Sequence, residues 1–115
     1  MQATEALAAL SALASEVRLS LVRMLVAAGD GGRPAGVIAR ELGLAPSRLS
    51  FHLAELERAG LVTARKESRN VIYAADYRQI GRLIGYLLND CCAAHPVVCA
   101  CCHPEAGREE SPATH

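Results

Sequence analysis

The sequence predicts a mainly α-helical domain with one small β-hairpin, in the order α-α-α-α-β-β-α. Three observations carry this. Apolar residues recur at helical spacing through residues 4–59 and again from 80 to 91. Glycine and proline break that pattern around 29–34, at 43–46 and at 60. Between Gly60 and Asp76 the pattern changes to two short β-prone runs around a polar centre.

The first helix covers residues 4–14, with Leu7, Leu10 and Leu13 on one face. Ser15 is an N-cap for a second helix over 16–28, whose apolar positions are Leu21, Met24, Leu25 and Ala28. The run Gly29-Asp30-Gly31-Gly32-Arg33-Pro34 ends it. A short helix follows over 35–42, with Val37, Ile38 and Leu42 apolar and Gly43 suited to the position after its last residue. Pro46 fits the first turn of the next helix, 46–59, which turns Leu49, Leu53 and Leu56 inward and stops at Gly60. Two helices joined by a three- to four-residue turn containing glycine make a helix-turn-helix. Residues 61–65 and 70–74 are the hairpin strands, with Lys66, Glu67, Ser68 and Arg69 at the tip, so the hairpin is the wing of a winged helix-turn-helix. Asp76 and Gln79 form an N-cap and N3 pair for the last helix. Its stripe is Ile80, Leu83, Ile84, Leu87, Leu88 and Cys91, and Pro96 ends it by about His95.

The chain of 115 residues is one domain in size, expected over 1–95, with a Cys-rich, partly disordered tail over 96–115. Only one Phe and three Tyr occur, so the core must be built from Leu, Val, Ile and Ala. A core of that size gains from a permanent homodimer. The first and last helices are the expected seam, through Leu10, Leu13, Ile80, Leu83, Ile84 and Leu87. No apolar run is long enough for a membrane span, and the N-terminus lacks the basic start of a signal peptide. A cytoplasmic location is expected.

Net charge is zero, but it is unevenly placed. Residues 33–82 hold nine Arg/Lys against five acids, whereas 91–115 hold one Arg against three Glu. A basic middle suits double-stranded DNA. A recognition helix presents its N-terminal residues to base edges in the major groove. With the leucines inward, the outward residues are Ser47, Arg48, Ser50, Phe51 and His52. The serines can donate to phosphates or bases, Arg48 can grip guanine or phosphate, and His52 can donate to either. Arg65, Lys66 and Arg69 of the wing lie where a hairpin follows the backbone or minor groove.

Cys91, Cys92, Cys99, Cys101 and Cys102 fall within twelve residues, and positions 1–90 have none. A disulfide framework would spread cysteines through the domain, so this cluster points to a soft-metal or redox site.

The segments ALASEVRLSLVRML, IARELGLAPSRLSFHLAELERAGLV and TARKESRNVIYAA, within residues 5–92, resemble the ArsR/SmtB family of winged-helix metal-responsive repressors. The resemblance implies a homodimer that covers an operator with two recognition helices and leaves it when an inducer binds. Subgroups of the family carry inducer sites in different places. Residues 37–42 lack the Cys-x-Cys of one subgroup, 77–88 lack the Asp and His pairs of a zinc-sensing one, and 16–28 lack the cysteine of a persulfide-sensing one. CCAAHPVVCACC, residues 91–102, looks like the arsenite-sensing variants, in which a vicinal pair closes the last helix and a third cysteine follows. That resemblance implies Cys91, Cys92 and Cys99 as ligands, with Cys101 and Cys102 as alternatives for the third.

Chemistry favours the same donors, because soft thiolates select soft ions. Trivalent arsenic takes three thiolates in a pyramid, whereas zinc takes four ligands in a tetrahedron. With His95 or His103 as a further ligand, zinc, cadmium or lead stays open at this point, as do an organoarsenical and a thiol redox switch. An enzyme is not expected, because no nucleophile–base pair or glycine-rich phosphate loop stands in a recognisable setting. A metal carrier would need neither recognition helix nor wing.

Overall fold

In a computed structural model, the described residues are 1–91, with side chains described through Leu88. Helix α1 spans Ala3–Leu13, and the backbone N–H of Gln2 donates to Glu5 at 3.0 Å. Its core face is Ala6, Ala9 and Ala12. Small side chains let α1 lie close against α2 (Glu16–Ala28) and α4 (Pro46–Arg58). The leucine face therefore points away from this core: Leu7 is 65% exposed, Leu10 is 39% exposed and Leu13 is half-buried.

Helix α2 starts where expected, with the Ser15 hydroxyl accepting from the Arg18 backbone N–H at 3.4 Å. Helix α3 spans Ala35–Leu42 and ends on Gly43 in the left-handed conformation, φ 66°. The Gly43 N–H then reaches the Arg40 carbonyl and the Leu44 N–H reaches that of Ala39. Pro46 opens α4, as its fixed φ and missing N–H favour. Leu21, Leu25, Ile38, Leu49, Leu53, Leu56, Leu61 and Val62 form the centre of the core. All are aliphatic, and no buried residue in the described chain is polar or charged.

Strands β2 (Val62–Glu67) and β3 (Asn70–Ala75) pair antiparallel from Val62 opposite Ala75 to Glu67 opposite Asn70. The strands expected at 61–65 and 70–74 thus run over 62–67 and 70–75, leaving only Ser68 and Arg69 at the tip. Ser68 has φ 55°, as the first central residue of a type II′ turn requires. A further strand was not expected. Arg33–Pro34, β1, pairs with Tyr73 and Ile72, so the sheet order is β1-β3-β2. Proline is tolerated there because β1 is an edge. Gly32, at φ 71°, brings the chain in: a Cβ on it would collide with the Tyr73 carbonyl and touch Ile72.

Asp76 caps α5 (Tyr77–Gly85), accepting the Gln79 N–H at 3.1 Å. The single α-helix expected to run to about His95 instead changes at Gly85 into a π-helical turn, Tyr86–Cys91. Gly81 and Gly85 make this stretch a weak α-helix former. By contact, the chain divides into a unit of Met1–Ile80 and a second that begins at Gly81. In the second, Leu83 and Leu88 are buried, Leu87 is half-buried and Ile84 is 39% exposed.

Candidate nucleic-acid interface

Helices α3 and α4, with the turn Gly43-Leu44-Ala45 between them, form the helix-turn-helix. Burial of Leu49, Leu53 and Leu56 fixes the rotation of α4 and leaves Ser47, Arg48, Ser50 and Phe51 exposed. Arg48 makes no ion pair among the described residues, so its guanidinium is available to a partner. The nearby arginines Arg33 and Arg58 are instead paired, with Glu41 at 2.9 Å and Glu55 at 2.6 Å.

His52 is placed differently from its neighbours. It is half-buried, and its Nδ1 lies 3.1 Å from Arg18 Nη1 of α2. A guanidinium only donates, so Nδ1 accepts and the neutral ring carries its proton on Nε2. Arg18 is itself anchored, its Nε donating to the Ala12 carbonyl at 2.7 Å. Burial lowers the His52 pKa below 6.5, and the charges of Arg18 and Arg48 lower it further. At neutral pH the ring is therefore a neutral Nε2–H donor held by α2. Arg18 was absent from the sequence-derived site: it lies 34 residues from His52, and only the packing of α2 on α4 joins them.

In the wing, Arg65 donates through Nε to Glu67 and through Nη2 to the Gly31 carbonyl, both at 2.8 Å. It ties β2 to the loop before β1. Lys66 and Arg69 are exposed and make no ion pair among the described residues. Of the four cationic residues expected at the interface, Arg48, Lys66 and Arg69 are thus without an ion pair among the described residues, whereas Arg65 is engaged within the protein.

No group of three or more potential metal ligands occurs among the described residues. Cys91 closes the π-helical turn, and nothing of its side chain is described; Cys92, Cys99, Cys101 and Cys102 lie outside the described residues. No described helix is long and apolar enough to cross a membrane.

A helix-turn-helix with an open polar recognition face, followed by a basic β-hairpin, defines a winged-helix DNA-binding protein. A helix-turn-helix domain family matches residues 13–65. The chain is 36% identical over 91 residues to the transcriptional activator HlyU of Vibrio cholerae, covering 79% of this chain and 82% of that protein. Among solved structures it is similar to the homodimeric winged helix-turn-helix DNA-binding domain Mb0332 of Mycobacterium bovis, a possible ArsR-family regulator. That match has TM-score 0.61 and 29% identity, covering 70% of this chain and 71% of that one. It is also similar to a possible transcriptional regulator for arsenical resistance, with TM-score 0.57 and 32% identity over 64% of this chain and 73% of that one. The chain belongs to the ArsR/SmtB family of winged-helix transcriptional regulators. Its relatives are transcriptional regulators, and like them it is a DNA-binding regulator and not an enzyme.

Proposed function

We propose that this regulator is a cytoplasmic homodimeric repressor that leaves its operator when trivalent arsenic binds the thiolates of Cys91, Cys92 and Cys99. The observation that carries the inducer is the confinement of all five cysteines to residues 91–102, beginning at the last residue of the π-helical turn. The similarity to a possible transcriptional regulator for arsenical resistance supports it. The donor set suits the ion, since three soft thiolates match the pyramidal preference of trivalent arsenic. Arsenous acid brings hydroxyls that leave as water as the thiols give up their protons.

The change of α5 into a π-helical turn at Tyr86 supports a route for the signal. A helix end with altered hydrogen bonding is open to tightening or unwinding when Cys91 and Cys92 are drawn to one centre. Leu10, Leu13, Ile80, Leu83, Ile84 and Leu87 are the proposed seam residues, and Leu10 and Ile84 carry the largest exposed apolar surface of the six. Changing the seam changes the spacing of the two recognition helices. A dimer must match a fixed half-site separation, so a small shift costs DNA affinity.

The test is fluorescence anisotropy of labelled operator DNA, enriched from a random pool and titrated with arsenite. Cys91→Ser and Cys92→Ser are expected to bind DNA normally and to ignore arsenite, because a hydroxyl is a poor ligand for a soft ion. Cys99→Ser should behave alike, and Cys101→Ser and Cys102→Ser should respond nearly as the wild type. Release at wild-type arsenite by both Cys91→Ser and Cys92→Ser refutes the site. Release by zinc, cadmium, lead, an organoarsenical or a thiol oxidant, with none by arsenite, replaces the inducer.

A further inference from the structure

Phe51 is the one Phe, Tyr or Trp on α4, and it is 59% exposed. The core is aliphatic and makes no use of it. Leaving a phenyl ring in water forgoes the stabilisation that its burial would bring. The ring shares its helix face with Ser47 and Arg48, four and three residues earlier, so whatever covers those side chains also covers Phe51.

Its surroundings are ordered. The ring stands edge-on to His52, with centroids 5.4 Å apart and planes at 67°, a favourable aromatic arrangement. His52 is held by Arg18, and Arg18 by the Ala12 carbonyl. A ring set beside a fixed neighbour loses less freedom on binding. In the major groove the apolar feature that base edges offer is the thymine C5-methyl group. Wedging a side chain between bases belongs instead to minor-groove binders, whereas a recognition helix enters the major groove.

We infer that Phe51 determines specificity by packing on a thymine C5-methyl group in each operator half-site. The inference rests on the operator-binding reading above. The full chain is used to enrich binding sequences from a randomised duplex pool. The enriched duplex, fluorescein-labelled, is then remade with deoxyuridine replacing each thymidine in turn. Wild type is expected to lose about fourfold in affinity at one thymidine position per half-site, the effect of burying one methyl-sized group. Phe51→Ala is expected to bind the thymidine and deoxyuridine duplexes equally at that position, and Phe51→Leu to discriminate in part. Indifference of the wild type to every replacement overturns the inference, as does fourfold discrimination kept by Phe51→Ala. A pool that yields no enriched sequence overturns operator binding itself, and this inference with it.

Discussion

Replacing Arg18 by Met keeps most of the aliphatic stem and removes the guanidinium. Two hydrogen bonds are lost, to the Ala12 carbonyl at 2.7 Å and to His52 Nδ1 at 3.1 Å. A hydrogen bond from a charged donor is worth about 1.5–3 kcal/mol when buried. Both of these are only partly buried, so the pair together should cost about 1–2 kcal/mol, read as a lower urea midpoint. His52 reports the change directly. Burial is the largest cause of its low pKa and the Arg18 charge the second, so the mutant pKa should rise but stay below 6.5. The sign for stability follows. As pH falls through 6.5 the unfolded chain takes up the imidazole proton before the folded chain does. This contribution is therefore complete above pH 6.5 and declines as pH falls from 6.5 through the lowered folded value. In Arg18→Met that decline should be smaller. Nitrogen-detected NMR of the imidazole through a pH titration measures both the pKa and the tautomer. An unchanged His52 titration with the same Nε2–H tautomer in the mutant would refute the proposed hold of α2 on the recognition helix.

Gly32→Ala should destabilise by about 2–4 kcal/mol, from a strained positive φ plus a collision with β3, whereas Gly31→Ala, which meets nothing, should shift the urea midpoint little. Equal midpoints would show that β1 is not held as described. Arg48→Ala should lose about 1–3 kcal/mol of operator affinity with relaxed preference at one base per half-site. Lys66→Ala should instead weaken all sequences alike and flatten the salt dependence; anisotropy at several salt concentrations separates the two. Leu10→Glu and Ile84→Glu change exposed side chains, so each single chain should still fold, yet light scattering should find monomers with greatly weakened operator binding. Normal dimers from both would move the seam elsewhere.

Local chemistry made most of the fold legible in the sequence. Ser15, Gly43, Pro46 and Asp76 mark helix ends because each satisfies or omits a particular backbone group, and all four act as their residue types require. The inward leucines of α4 likewise determined which side chains face out, since a helix buried on one stripe has one possible rotation. The five clustered cysteines and the uneven charge are also properties of the sequence alone. Three features depended on tertiary structure. Ala6, Ala9 and Ala12 face inward in place of the larger leucines, because close approach of helices is worth more there than side-chain bulk. Two residues, Arg33 and Pro34, become a strand only because β3 offers an open edge; a two-residue segment has no period of its own to detect. Arg18 and His52 meet across 34 residues, and Arg65 is engaged by Glu67 and the Gly31 carbonyl. The sequence determined the charge and reach of these side chains, but their partners were decided by the packing of helices and strands remote in the chain.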